Sequence, residues 1–351
     1  MSKFNIDSHI PLRLSSAEAE GIKKLLSSSS SIVITTHHRP DGDAMGSSLG
    51  LFNYLLLKGH KVTVIVPSEA PDFLSWLPGS DKVVNYEVDK TAGDELFKNA
   101  NIIFCLDYNS LNRIDKMEDS LRKSPAKKIL VDHHLDPDKI FDVSVSYQDV
   151  SSTSELIVDV IMGMDDAALI DENISECLYC GIMTDTNSFR YSSMKARTHR
   201  IIAGLMDAGA ENYIIHERVY DNATECRLRL LGHSLSEKLV VLPEFNTAYI
   251  ALSEAELEQY KYQTGDTEGF VNVALGIKGI RLAIFFSERN NIVKISFRSK
   301  GDFSVKDMSA KYFKGGGHKN ASGGVSEESL EKTVQKFLEI LPLYKEQLTS
   351  S

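Results

Sequence analysis

Eight side chains could do hydrolytic chemistry if a fold gathered them. His37, Asp41 and Asp43 fall within Thr36-His37-His38-Arg39-Pro40-Asp41-Gly42-Asp43, Asp107 ends an apolar run, Asp132-His133-His134 form a triplet, and Asp185 follows another apolar run. As a ligand set, His37, Asp41, Asp43, Asp107, His133 and Asp185 offer two imidazoles, four carboxylates and no thiolate. That donor chemistry favours manganese or magnesium over structural zinc. Six ligands exceed what one ion in an open catalytic site takes. A pair of ions about 3.5 to 4 Å apart, sharing a bridging carboxylate, fits the number and is a recurring solution for phosphoester hydrolysis. Each residue alone has a plainer explanation: Asp41 or Asp43 as a helix cap, Asp107 as the start of a turn, Asp185 as part of a solvated turn. Their joint placement at successive element ends is what carries the metal reading. Adjacent residues of an extended chain point to opposite sides, so of His133 and His134 one is expected to bind metal and the other to meet the substrate.

The elements that must position these groups follow from hydrophobic patterning. Residues 31–185 alternate short β-rich runs with longer helical ones, the pattern of βα units and a parallel sheet. Strands are expected at 32–36, 61–66, 101–106 and 128–131, and helices at 44–57, 154–164, 174–183 and 196–207. In the first helix Met45, Leu49, Phe52, Leu55 and Leu56 fall on one side. Ligands of an open parallel sheet gather where its strands end, and that is where residues 37–43, 107 and 132–134 lie. A mixed polar and apolar stretch at 212–239 leads into β-rich runs at 247–252, 281–287 and 292–298 and a final helix at 328–341. The expected architecture is therefore α/β, a mostly parallel sheet flanked by helices over residues 1–209. A helical linker at 210–240 joins it to a smaller α+β domain at 241–351.

Bulk properties narrow the function classes. The 351 residues suffice for two domains with their own cores. No apolar run approaches the roughly 18 to 20 residues of a membrane span, and residues 1–11 lack the apolar stretch of a signal peptide. No membrane partner and a cytoplasmic location are expected. Cys105, Cys177, Cys180 and Cys226 are too few and scattered for a disulfide framework, and the Cys177/Cys180 pair sits in a run that reads as a buried helix. A net charge of −10 argues against coating long nucleic acid. A phosphate-bearing substrate would then need metal ions, backbone N–H groups or a confined basic cluster. Arg298, Lys300, Lys311, Lys314, His318 and Lys319 supply such a cluster, and the glycines at 315–317 let N–H groups approach an anion.

Taken together, these motifs resemble the DHH family of phosphoesterases, named for the triplet present here as Asp132-His133-His134. The resemblance covers nearly the whole chain: the His37 to Ser47 motif, Asp107, the triplet, Thr184-Asp185-Thr186, and a glycine-rich signature at 313–324 of the DHH-associated domain. It implies one manganese ion on His37, Asp41 and Asp107 and a second on Asp43, Asp107, His133 and Asp185, with magnesium or cobalt also compatible. It implies that His134 faces the scissile phosphate and that Asp132 orients the histidines. Arg298, Ser299, Gly316, Gly317, His318 and Asn320 would contact substrate, and Lys314 stands where the family has the first of four glycines. Among subgroups the chain is similar to the bifunctional nanoRNase and 3'-phosphoadenosine 5'-phosphate phosphatase group. The resemblance thus implies very short oligoribonucleotides or a nucleotide as substrate and no long nucleic acid. A stand-alone cyclic-dinucleotide phosphodiesterase is the alternative. A non-catalytic nucleotide-binding module would have lost a ligand, and none is missing. The apolar helix at 154–164 and the bridging stretch are expected to support a homodimer.

Overall fold

The computed structural model of the protein describes residues 10–28, 30–191 and 194–350. Most of the N-terminal stretch examined for a leader lies outside the described residues. The chain divides into two compact units between Asn222 and Ala223.

In the first unit α1 (Ser16–Leu25) precedes β1 (Ser31–Thr35), α2 (Gly42–Leu57), β2 (Lys61–Val66), β3 (Val84–Asn85), α3 (Lys90–Asn99) and β4 (Ile102–Leu106). Then come α4 (Glu118–Lys123), β5 (Lys127–Asp132), β6 (Val143–Ser146), α5 (Thr153–Gly163), α6 (Glu172–Asp185), α7 (Ala196–Ala208) and α8 (Asn212–Tyr220). The sheet order is β3-β2-β1-β4-β5-β6 and every pairing is parallel. A parallel sheet covered on both faces needs continuously apolar strands rather than alternating ones. The sequence supplies them: all five residues of β4 are buried. Ile32, Ile34, Phe104, Ile129 and Val131 face the core shared with α2, α5 and α6. Val33, Ile103, Cys105 and Leu130 face a second layer with Phe97, Leu111 and Ile114.

The core helices carry two corrections. Every residue of α5 from Thr153 to Ile161 is buried, its apolar side chains in the core and its two carboxylates, Glu155 and Asp159, paired with Arg197. It therefore has no face to offer a second copy, and the dimer expected through it does not hold. Cys177 and Cys180 are buried in α6, as their spacing predicts. A glycine seam lets α2 and α6 approach closely: a Cβ on Gly46 would lie 2.5 Å from the Cys177 carbonyl and 2.8 Å from the Gly181 nitrogen. Gly42 and Gly50, one turn to either side, meet Thr184 and Leu178 in the same way.

The second unit begins with α9 (Glu225–Glu237), β7 (Leu239–Leu242), β8 (Thr247–Leu252), α10 (Glu254–Gln259) and α11 (Phe270–Leu275). It continues through β9 (Leu282–Arg289), β10 (Ile292–Ser299), α12 (Val305–Tyr312), β11 (Gly316–His318), β12 (Ala321–Ser326) and α13 (Leu330–Ile340). Its sheet runs β11-β12-β10-β9-β8-β7, antiparallel except between β8 and β9. The stretch at 212–239 is two helices, α8 on the first unit and α9 on the second, rather than one bridge. The glycine-rich segment is a hairpin in which Gly316–His318 pairs with β12. Among the described residues no helix is long and apolar enough to cross a membrane.

Candidate metal centre

The sequence places each ionisable group of the first unit at the end of an element it could terminate or begin. Asp41 is the N-cap of α2: its Oδ1 accepts from the N–H groups of Asp43 and Ala44, both at 3.1 Å. The capping explanation is thus correct for Asp41, yet the same oxygen lies 3.9 Å from His37 Nε2. Asp43, the second residue of α2, is 1% exposed, whereas the Asp41 side chain is 62% exposed. Asp107 follows β4 with φ +62°, a left-handed conformation that costs a non-glycine residue about 1 kcal/mol or more. Asp185 is the last residue of α6. Three consecutive left-handed residues follow it, Asn187, Ser188 and Phe189, and are held by Phe189 packing on Tyr179 and by a Ser188 to His216 hydrogen bond of 3.0 Å.

These groups converge. Asp107 Oδ2 is 3.4 Å from His37 Nε2 and Asp107 Oδ1 is 3.4 Å from His133 Nε2, while His133 Nε2 is 3.6 Å from Asp185 Oδ2. Such separations exceed a good N–H···O hydrogen bond but suit two donors on one ion. Among the described residues three sets bring donor atoms within 4.8 Å of one another: His37, Asp41 and Asp107; Asp43, His133 and Asp185; and Asp107, His133 and His134. The expectation that His133 and His134 diverge is corrected. Their rings meet edge to face at 4.6 Å, and His134 Nδ1 also lies 3.7 Å from Asp107. The chain leaves strand geometry after Asp132, so the two-residue alternation no longer applies.

Hydrogen bonds set the imidazoles' protonation. His37 Nδ1 donates to the His38 carbonyl at 3.0 Å, which leaves Nε2 as the ring nitrogen turned toward Asp41 and Asp107. His134 Nδ1 donates to Asp132 Oδ1 at 2.7 Å, and Asp132 is wholly buried. Burial alone would lower the His37 and His133 pKa values, but the carboxylates of Asp107 with Asp41, and of Asp107 with Asp185 and Asp43, raise both to about 10. Burial and neighbouring carboxylates push Asp43 upward and Asp185 to about 7, while the two imidazoles hold Asp107 low against its own burial. A site that binds protons this strongly is built for cations. Its oxygen and imidazole donors fit manganese or magnesium.

Sequence reasoning overlooked what holds the carboxylates. The α5 N-terminus aims two N–H groups at Asp43, Thr153 at 2.6 Å and Ser154 at 2.8 Å, and the Thr153 hydroxyl donates to Asp107 Oδ1 at 3.0 Å. The clue was the Ser152…Glu155 spacing before an apolar run, a helix-start signal. Behind it, Arg197 bridges the buried carboxylates of Glu155 and Asp159.

In the second unit, Ala321 pairs with Arg298 on one side and His318 on the other. Paired residues share a face of a sheet, so Arg298 and His318 project from the same face two strand spacings apart, about 10 Å. Gly317, at φ +146°, could not carry a Cβ without meeting the Ala321 carbonyl at 2.6 Å. Gly316 is exposed, with open space beside it. Ser299 and Asn320 turn inward: Ser299 Oγ donates to the Phe303 carbonyl at 2.7 Å, and Asn320 Nδ2 donates to Ser299 Oγ and the Gly301 carbonyl, both at 2.9 Å. They hold the strand ends that carry Arg298 and His318. Lys314 adopts φ +47°, the glycine-like conformation its position demands, and pairs with Glu327 at 2.8 Å, while Lys319 pairs with Asp302 at 2.8 Å. The basic cluster is thus partly neutralised by its own surface.

Comparison with known proteins agrees with this geometry. Residues 31–182 match the DHH family, N-terminal domain, and residues 246–344 match the DHHA1 domain. The bifunctional oligoribonuclease and PAP phosphatase NrnA of Mycoplasma genitalium is 30% identical over 82% of this chain and 86% of its own. The crystal structure of an exopolyphosphatase-related protein from Bacteroides fragilis is 40% identical, with a TM-score of 0.94 over 96% of this chain and 98% of that one. RecJ from Thermus thermophilus, crystallised with Mn2+, shares the fold at 13% identity, with a TM-score of 0.54 over 99% of this chain and 56% of that one. A carboxylate-rich centre at the strand ends of a wholly parallel sheet, and relatives matched along most of their length, lead to one conclusion: the chain belongs to the DHH family and is a hydrolase of phosphoester bonds.

Proposed function

We propose that the protein is a manganese-dependent phosphoesterase that hydrolyses very short oligoribonucleotides and 3'-phosphoadenosine 5'-phosphate. The observation that carries this reading is the Asp107 carboxylate, one oxygen facing His37 and the other facing His133, each at 3.4 Å. His37, Asp41 and Asp107 would hold one ion, and Asp43, Asp107, His133 and Asp185 the other. Two such ions, when bound, lower the pKa of a water and neutralise charge on phosphoryl oxygens. His134, its Nδ1 engaged by Asp132, acts as hydrogen-bond donor or general acid toward a phosphoryl or leaving-group oxygen. Asp132 fixes the ring's tautomer and angle. Residues 241–351, within the second unit, serve as the substrate-binding domain. Arg298 and His318 share a sheet face on which a guanidinium and an imidazole grip a terminal phosphate, and the Gly316 and Gly317 backbone lies beside them. The names of the NrnA relatives support the substrate class, and the RecJ complex supports manganese.

The test is a substrate panel on purified protein, stripped with chelator and given back manganese, magnesium or cobalt. A diribonucleotide, 3'-phosphoadenosine 5'-phosphate, linear and cyclic dinucleotides and inorganic polyphosphate form its arms. Turnover of the first two with manganese is the expected result. Turnover of the cyclic dinucleotide alone would move the assignment to a cyclic-dinucleotide phosphodiesterase, turnover of polyphosphate alone would move it to the activity that the Bacteroides fragilis relative's name suggests, and no turnover of any would sink it. Asp107→Ala is expected to abolish both manganese binding and activity.

A further inference from the structure

We propose that Thr153 is a positioning residue that turns the Asp107 carboxylate so that each of its oxygens serves a different half of the metal centre. The inference rests on the two-ion reading above and concerns how one side chain makes it work.

A carboxylate rotates broadly about its last torsion, so its bridging orientation must be imposed from outside. Among the described residues the Thr153 hydroxyl is the only hydrogen-bond donor other than the centre's own imidazoles that reaches the Asp107 carboxylate, at 3.0 Å from Oδ1. It thereby keeps Oδ1 toward His133 and leaves Oδ2 facing His37, 3.4 Å away. The same residue's N–H donates to Asp43 Oδ2 at 2.6 Å. Thr153 thus touches Asp107, shared by both ligand sets, and Asp43, which belongs to one.

The donor is itself held rigidly. Thr153 is fully buried and its own N–H is anchored on Asp43, which confines its hydroxyl to the side of Asp107. Ser152 Oγ caps the helix by accepting from the Glu155 N–H at 3.1 Å. Glu155 in turn accepts from the Ser151 N–H and the Thr198 hydroxyl, both at 3.0 Å, and pairs with Arg197. A displaced Thr153 would break this buried network, so its hydroxyl is a fixed reference for Asp107. The hydroxyl also occupies one lone pair of Oδ1 and none of Oδ2, so the two halves of the centre are inequivalent ligands.

The experiment compares wild type, Thr153→Val and Thr153→Ser. Val keeps the shape and the N–H to Asp43 but deletes the hydroxyl. Manganese binding to chelator-stripped protein is followed by calorimetry and by the electron paramagnetic resonance signal of a coupled ion pair. Hydrolysis is followed on the substrate of the panel that wild type turns over best. For Thr153→Val the expected result is weaker binding of the ion beside His133 by about 10- to 100-fold, the range for loss of an outer-shell partner. A weakened coupled-pair signal and a kcat lowered in proportion should accompany it, with KM within about twofold because no substrate contact is lost. Thr153→Ser should restore all three. If Thr153→Val does not fold, judged by circular dichroism, Thr153→Ala makes the same deletion. Two equivalents bound with wild-type affinity and an unchanged kcat in the folded variant would overturn the proposal, as would a Ser variant no better than Val. A wild type that binds no manganese overturns the two-ion reading first, and the inference with it.

Discussion

At the scale of single residues the centre is a set of carboxylates whose environments differ more than their chemistry. Asp107 is buried and held ionised by imidazoles, Asp43 is buried and braced by two backbone N–H groups, and the buried Asp132 carboxylate accepts from the histidine it orients. Replacing Asp132 with Asn keeps an acceptor for His134 but removes the charge that stabilises an imidazolium. The expected outcome is a kcat lower by about 10- to 100-fold with manganese affinity unchanged, checked by steady-state kinetics beside a metal titration. A loss below about threefold would mean that Asp132 does not govern His134. The convergence of the candidate ligands was legible from sequence because they lie at the ends of apolar runs, where a polar group must either end an element or serve a site. Thr153 was not legible, since a threonine before a helix reads as ordinary capping until the fold brings Asp107 within reach of its hydroxyl. Nor was it legible that Asn320 and Ser299, whose types suit phosphate, hydrogen-bond to each other and to nearby backbone carbonyls.

At the scale of elements, the catalytic geometry depends on how closely α2 and α6 approach, since Asp43 sits on one and Asp185 ends the other. Gly46→Ala tests the seam with opposing effects. Alanine raises helix propensity by about 1 kcal/mol, whereas its methyl would meet Cys177 and Gly181 backbone that cannot move aside. Overpacking of this kind costs about 1 to 3 kcal/mol or more, so a net loss of stability in urea unfolding is expected. A variant more stable than wild type would show that the helices have room to part. The strands were legible because a doubly covered parallel sheet demands unbroken apolar runs such as 102–106. Strands β11 and β12 were not, since four of their residues are glycines whose pairing comes from backbone proximity rather than side-chain pattern. Nor was the burial of α5, because an apolar helix looks the same whether its partner is a second copy or its own core.

At the scale of the whole molecule, the metal-free centre couples folding to pH. Folded His37 and His133 keep their protons up to about pH 10, while the unfolded chain releases them near its ordinary value of 6.5. Between those values the folded state binds more protons than the unfolded one, so stability falls as pH rises. Asp185, at about 7 against 3.8 unfolded, acts in the same sense over its lower window. Manganese must displace these protons, so its apparent affinity rises with pH. Thermal melts of chelator-treated and manganese-loaded protein should therefore diverge between about pH 6 and about pH 8.5, and a constant gap would show that the histidines do not compete with the ion. The acidic net charge is compatible with this chemistry because the attraction to phosphate is local.

Asp41 differs from the other ligands in one respect with a kinetic consequence. Its side chain is 62% exposed, while Asp43 is almost wholly enclosed. An ion leaving the His37 and Asp41 half has one ligand already in solvent, whereas an ion leaving the Asp43 half must part a closed packing of helices. Under the proposed two-ion reading, the ions should then drain at different speeds. Rapid mixing of manganese-loaded protein with excess chelator is expected to release metal in two phases, the faster of which Asp41→Asn accelerates and the slower of which it leaves alone.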